Sequence, residues 1–180
     1  MRILIIAISR SGGTILNQWL ALELRYKILN EPIWNKLSIE ENDIVVKYNI
    51  GEIDKTSDIN LSNWDKIIGL IREDSYDTAI SQYRGDQKNE WNCIYDVSDK
   101  WIKENHLNIK KTEEQIIKKI ELIKEIKEIE LLVTYEGIYN TKEDIQRIKD
   151  YVGISNTKYE HLLDNINRLR NRDKTKRKLL

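Results

Sequence analysis

The chain opens on an uninterrupted apolar run. Six hydrophobic residues, several β-branched, fill Ile3–Ile8 and stop at Ser9-Arg10-Ser11-Gly12-Gly13. A run of that length ended by glycines predicts a strand buried on both faces over Arg2–Ile8. The period then changes: Ile15, Leu16, Trp19, Leu20 and Leu24 recur at helical spacing and predict a helix over Thr14–Arg25. Tyr26–Leu29 is a short apolar stretch, ended by Asn30-Glu31-Pro32. Ile44–Tyr48 and Lys66–Ile71 predict further strands, and a helix begins over Asp77–Arg84. The polar span Gly85–Lys110 carries Trp91, Tyr95 and Trp101 and gives no single reading. Ile116, Ile117, Ile120 and Ile123 predict an amphipathic helix over Thr112–Ile129 with Thr112 as its cap. Glu130–Tyr135 reads as a strand, and Lys142–Val152 and Tyr159–Arg170 read as helices.

Strands alternating with helices imply an α/β fold in three layers, a mostly parallel central sheet flanked by helices. There is no internal repeat and no Pro- or Gly-rich linker, so one domain is expected over residues 1–167. Beyond it, residues 168–180 form a basic tail in which Arg168, Arg170, Arg172, Lys174, Lys176, Arg177 and Lys178 face one acid, Asp173.

Charge and cysteine content narrow the function classes. The 180 residues carry 30 basic and 30 acidic side chains, so no global field draws the protein to nucleic acid or to an anionic membrane. Cys93 is the single cysteine, which excludes an internal disulfide and a thiolate-rich metal site. The opening apolar run is too short for a signal-peptide core or a membrane span. A soluble cytoplasmic protein is expected, with no metal implied; the oligomeric state is left open.

The segment Ile6-Ala7-Ile8-Ser9-Arg10-Ser11-Gly12-Gly13-Thr14 lies between the first predicted strand and the first predicted helix. That is the place for a phosphate: glycines let the backbone approach the ligand, successive N–H groups point inward, and the helix N-terminus adds positive partial charge. Arg10 adds a full charge able to hold an oxyanion through two hydrogen bonds, and Ser11 and Thr14 add hydroxyls. Against the nucleotide triphosphatase pattern G-x-x-x-x-G-K-[ST], Ala7 stands at the first glycine and Gly13 at the lysine. Loss of that lysine disfavours an ordinary kinase or ATPase.

These residues resemble the PAPS-dependent sulfotransferase family, whose loop after the first strand reads [KR]-S-G-[STG]-T, here Arg10, Ser11, Gly12, Gly13 and Thr14. The resemblance implies that this loop holds the 5′-phosphosulfate of PAPS (3′-phosphoadenosine 5′-phosphosulfate; PAP is the desulfated product), with Arg10 at the bridging oxygen. A second element, Lys66–Arg84, is similar to the family's strand-end arginine and following helical serine. It implies that Arg72 and Ser81 hold the 3′-phosphate. Their separation of nine positions, and the Tyr83-Arg84 pair, look most like bacterial carbohydrate sulfotransferases of the trehalose 2-sulfotransferase type. A third, Leu131–Tyr139, is similar to a late strand ending in Tyr-Glu-Asp-Leu, with Gly137 at the aspartate and Glu136 tying loops together.

Sulfuryl transfer needs both partners positioned, the acceptor proton removed, and charge on the leaving oxygen neutralised. Lys47-Tyr48-Asn49 is similar to the Lys-Thr-His strand end of cytosolic sulfotransferases, but Asn49 stands at the histidine and cannot act as a base. The carbohydrate branch implies a glutamate after the first helix instead, here Glu31, with Lys47 as a second cation. Trp34, Trp91, Tyr95 and Trp101 are candidate linings for a small-molecule or saccharide acceptor. His106 and His161 have no partner motif. The expected function is sulfuryl transfer from PAPS to a hydroxyl. The alternatives are a non-catalytic nucleotide-binding or interaction protein of the same fold, and a divergent P-loop phosphotransferase.

Overall fold

The computed structural model describes residues 1–30, 42–51, 60–88 and 97–155. Glu31, Trp34, Trp91, Cys93, Tyr95, His161, the expected helix Tyr159–Arg170 and the basic tail lie outside the described residues. Among those described, the chain forms two compact units, Met1–Glu73 with 119–155 and Asp74–Lys118.

The first unit is built on a parallel sheet of β1 (Arg2–Ala7), β2 (Lys27–Asn30), β3 (Ile44–Asn49), β4 (Lys66–Ile71) and β5 (Leu131–Thr134), in the order β2-β3-β1-β4-β5. β1 is the central strand and pairs with β3 on one side and β4 on the other. Its apolar run is unbroken because every residue of Ile3–Ala7 is buried, so no face is left for polar alternation. β3 is buried along its whole length and still carries Lys47 and Asn49, two positions apart and so on one face of the sheet. Polar side chains inside a buried strand need compensating contacts.

Helix α1 (Gly13–Leu24) returns from β1 to β2, and Asn17 fixes that return by donating its amide to Leu29 O at 2.8 Å. β5 runs into a short helix, α4 (Tyr135–Tyr139), and then α5 (Glu143–Val152). The expected strand Glu130–Tyr135 ends one residue early because Thr134 caps α4, its hydroxyl accepting from Gly137 N–H at 2.8 Å. Asp144, buried in α5, accepts from Thr134 N–H at 2.8 Å and from Arg147. A Cβ on Gly137 would run into the Asp144 carboxylate, so glycine is what fits there.

The second unit holds α2 (Ser75–Lys88) and most of α3 (Asp99–Glu125). Asp74 starts α2, its carboxylate accepting from Asp77 N–H at 2.8 Å. The expected helix at Thr112 begins 13 residues earlier, at Asp99. Thr112 is no cap: mid-helix, its hydroxyl donates to Asn108 O at 3.0 Å. Ile109, Ile116 and Ile123 are buried at intervals of seven, so the apolar stripe continues into the polar span with one residue per two turns. Tyr83 of α2 packs on Trp101 of α3 with ring centroids 5.9 Å apart, and its hydroxyl accepts from Asn108 at 3.0 Å. Among the described residues no helix is long and apolar enough to cross a membrane.

Tyr151 of α5 anchors the edge of β4: Ile67 N–H donates to its hydroxyl at 3.1 Å, and Lys66 lies over its ring. Burial, reinforced by Glu130, raises its hydroxyl from the usual 10 to about 12. A raised tyrosine value favours the neutral folded form, so its contribution is complete below pH 10 and is lost as pH rises through about 12. In chemical denaturation at a series of pH values, stability is expected to fall between pH 10 and 12, with a shallower fall in Tyr151→Phe. An identical pH profile for the two proteins would contradict this assignment.

Candidate functional site

In a sheet ordered β2-β3-β1-β4-β5, the chain runs from β1 to the edge strand β2, returns to β3 beside β1, and then crosses to β4 on the other side. The carboxyl end of β1 is therefore the topological switch point, where open parallel sheets leave a crevice. The loop 8–12 occupies it. Ser11 closes the loop: its N–H at 3.3 Å and its hydroxyl at 2.7 Å both go to Ile8 O, and the side chain is fully buried. The hydroxyl expected to face a ligand is thus turned to the loop's own backbone. Arg10 and Gly12 sit in the left-handed region, at φ 68° and φ 80°.

Gly12 caps α1 without any side-chain hydrogen bond, and the first turn of α1 has no acidic residue. The helix thus opens on backbone donors and positive partial charge with no carboxylate of its own beside them. Gly12 O accepts from Ile15 and Leu16 N–H at 3.1 and 3.2 Å and from the Tyr139 hydroxyl at 2.9 Å. A Cβ on Gly12 would meet the Tyr139 ring at 2.5 Å. Burial, with Tyr135 beside it, pushes the Tyr139 hydroxyl far above its ordinary value, so it remains a proton donor.

Lys47 reaches the same place from β3. Only 6% exposed, it lays its arm against Gly13, where a Cβ would meet Lys47 Cε at 3.1 Å, and donates to Thr14 Oγ1 at 3.3 Å. A lysine carried on the adjacent strand thus lies beside the loop, in the space that glycine leaves open. Asn49, on the same face, is 8% exposed.

Arg72 follows β4 at the same end of the sheet, since Ile8 N–H bonds Leu70 O at 3.4 Å. Its guanidinium lies over the Tyr135 ring, 4.7 Å from the centroid, and its Nε is 3.8 Å from Glu136 Oε1. Glu136 also accepts from Glu73 N–H at 3.0 Å, so it does tie the strand end to α4. Ser81 lies half-buried on α2, in the second unit, while Arg72 belongs to the first. The loop, Lys47, Tyr139 and Arg72 therefore belong to one unit. Tyr139 escaped the sequence reading: its spacing of four from Tyr135 stands in the sequence, but the short helix that gives this spacing meaning does not. Among the described residues no cluster of three or more His, Cys, Asp or Glu could hold a metal ion.

No protein-family model matches the chain, and no curated protein matches its sequence. Among solved structures it is similar to mouse sulfotransferase SULT7A1 complexed with PAP, with a TM-score of 0.59 at 16% identity. The match covers 91% of this chain but 62% of that one, so the chain spans less than two thirds of its neighbour's length.

Gly12→Ala should destabilise the protein by about 2–4 kcal/mol, from a left-handed alanine and a ring that must move. Urea unfolding measures this, and a loss below about 0.5 kcal/mol would contradict the tight packing of loop on α4. With five parallel strands ordered about a central β1 and helices against them, the chain has the α/β, P-loop-like fold of the sulfotransferases.

Proposed function

We propose that the protein is a PAPS-dependent sulfotransferase that moves a sulfuryl group to a hydroxyl of a small molecule or saccharide. The observation that carries this reading is the buried Lys47 lying over Gly13 and bonded to Thr14, beside a helix N-terminus free of acids. The donor set fits an anion: it offers a lysine and backbone N–H groups at the start of α1. PAPS supplies the activated sulfuryl group, and SULT7A1, whose fold this chain shares, is described in complex with PAP.

On this reading Arg10, Ser11, Gly12, Gly13 and Thr14 form the cradle for the 5′-phosphosulfate. Gly13 and Thr14 contribute N–H groups at the start of α1, and Ser11 keeps the turn closed through Ile8 O. Arg10 and Lys47 place positive charge where negative charge develops on the bridging oxygen. Arg72, held flat on Tyr135 and steered by Glu136, binds the 3′-phosphate. Glu31 removes the acceptor proton, a role Asn49 cannot perform. The motif spacing favours the bacterial carbohydrate branch, trehalose 2-sulfotransferase-type, and the expected location is the cytoplasm.

At a hundred times its Kd, PAP should stabilise the protein by about 2.7 kcal/mol, a rise of roughly 5–10 °C in Tm. Arg10→Ala should abolish the rise. A magnesium-dependent shift with ATP and none with PAP would favour the phosphotransferase reading instead. Lys47→Met keeps the aliphatic arm over Gly13 while removing a buried charge. Its ligand-free Tm should be unchanged or higher, while PAP affinity falls roughly ten- to a hundredfold in calorimetric titration. Unaltered PAP affinity would remove Lys47 from the site.

A further inference from the structure

We propose that Tyr139 is a positioning residue for the phosphate loop, one that sets the direction of the Gly12–Gly13 peptide and so aims the Gly13 N–H at the anion. The proposal rests on the nucleotide-binding reading of the loop and adds to it a residue from the far end of the chain. Three donors converge on Gly12 O: the hydroxyl of Tyr139 and the N–H groups of Ile15 and Leu16. Among the described residues no peptide is cis, and in a trans peptide the N–H points opposite to the C=O. Fixing Gly12 O toward α4 and α1 therefore directs Gly13 N–H the other way, out of the helix N-terminus.

That direction needs holding. Two successive glycines make this the most permissive peptide in the loop, and reversing it would present a carbonyl oxygen to an anion in place of a donor. The Tyr139 ring blocks movement on one side, occupying the space a Cβ on Gly12 would need. The hydroxyl adds direction, because it can donate to Gly12 O only while that carbonyl faces α4.

The same short helix reaches the second anion-binding group. Tyr135 and Tyr139 pack with ring centroids 4.6 Å apart, and Arg72 lies on the other ring of the pair, Tyr135. α4 thus touches the loop through Tyr139 and Arg72 through Tyr135 and Glu136. Both are registered against one five-residue element.

The test compares ¹⁵N-labelled wild type and Tyr139→Phe, which keeps the ring and removes the hydroxyl, with Ile138→Val as a core change on α4 that leaves that hydroxyl in place. In the ligand-free proteins, the Gly13 amide resonance should move in Tyr139→Phe and stay in place in Ile138→Val. By calorimetry, Tyr139→Phe should weaken PAP and adenosine 5′-phosphate about tenfold, the value of one hydrogen bond. Adenosine 3′-phosphate should change less than about twofold, since the hydroxyl acts only on the loop. An unmoved Gly13 amide, or equal weakening of all three nucleotides, would overturn the proposal. If the wild type binds none of the nucleotides, the sulfotransferase reading falls, and the Gly13 amide comparison still decides whether Tyr139 orients the loop.

Discussion

Everything in the site depends on how closely three elements crowd the glycine pair at the end of β1. Tyr139 presses on Gly12 from α4, Lys47 presses on Gly13 from β3, and Ala7 stands behind Gly13 on β1. Glycine at position 12 meets a left-handed φ and a ring within contact distance; glycine at position 13 makes room for a lysine arm. Larger residues at either place would force the neighbours apart, and the uncapped start of α1 would no longer share its position with the cation.

Placing the cation on a strand has physical consequences. A lysine within a phosphate loop swings on its own flexible backbone, whereas Lys47 projects from a strand paired on both sides, with Ile5 as its partner in register on β1. Burial of its stem leaves few rotamers open, so less entropy is lost when a ligand arrives. The cost is the removal of an ammonium from water, offset in part by Thr14 Oγ1. Such a group is worth keeping where it meets an anion, and this is why the proposed chemistry centres on it.

Much of the fold was legible because its strands are buried on both faces. The runs Ile3–Ile8, Ile44–Tyr48 and Lys66–Ile71 gave strands within a residue of their ends, and alternation with helices gave the parallel sheet. The start of α3 was not legible, since its buried stripe takes only every seventh residue, among many Lys, Glu and Asn. Nor was the short helix α4, which depends on a local cap at Thr134 and on Asp144 ten residues away. In the site, the loop itself was readable from glycines at a strand-to-helix junction. The hydroxyl of Ser11 was not, because its orientation toward Ile8 O is fixed by the turn. Tyr139 bonds a residue 127 positions away, a relation that no local pattern encodes.

The central claim is that the turn behind β1 grips a nucleotide's 5′-phosphate and that Arg72, on the same end of the sheet, grips its 3′-phosphate. A crystal structure of the PAP complex tests it most directly. The 5′-phosphate oxygens are expected within about 3 Å of the Gly13 or Thr14 N–H and of Lys47 Nζ, with the 3′-phosphate on the Arg72 guanidinium. PAP bound with both phosphates away from the loop, or a loop that stays empty at saturating PAP, would contradict it.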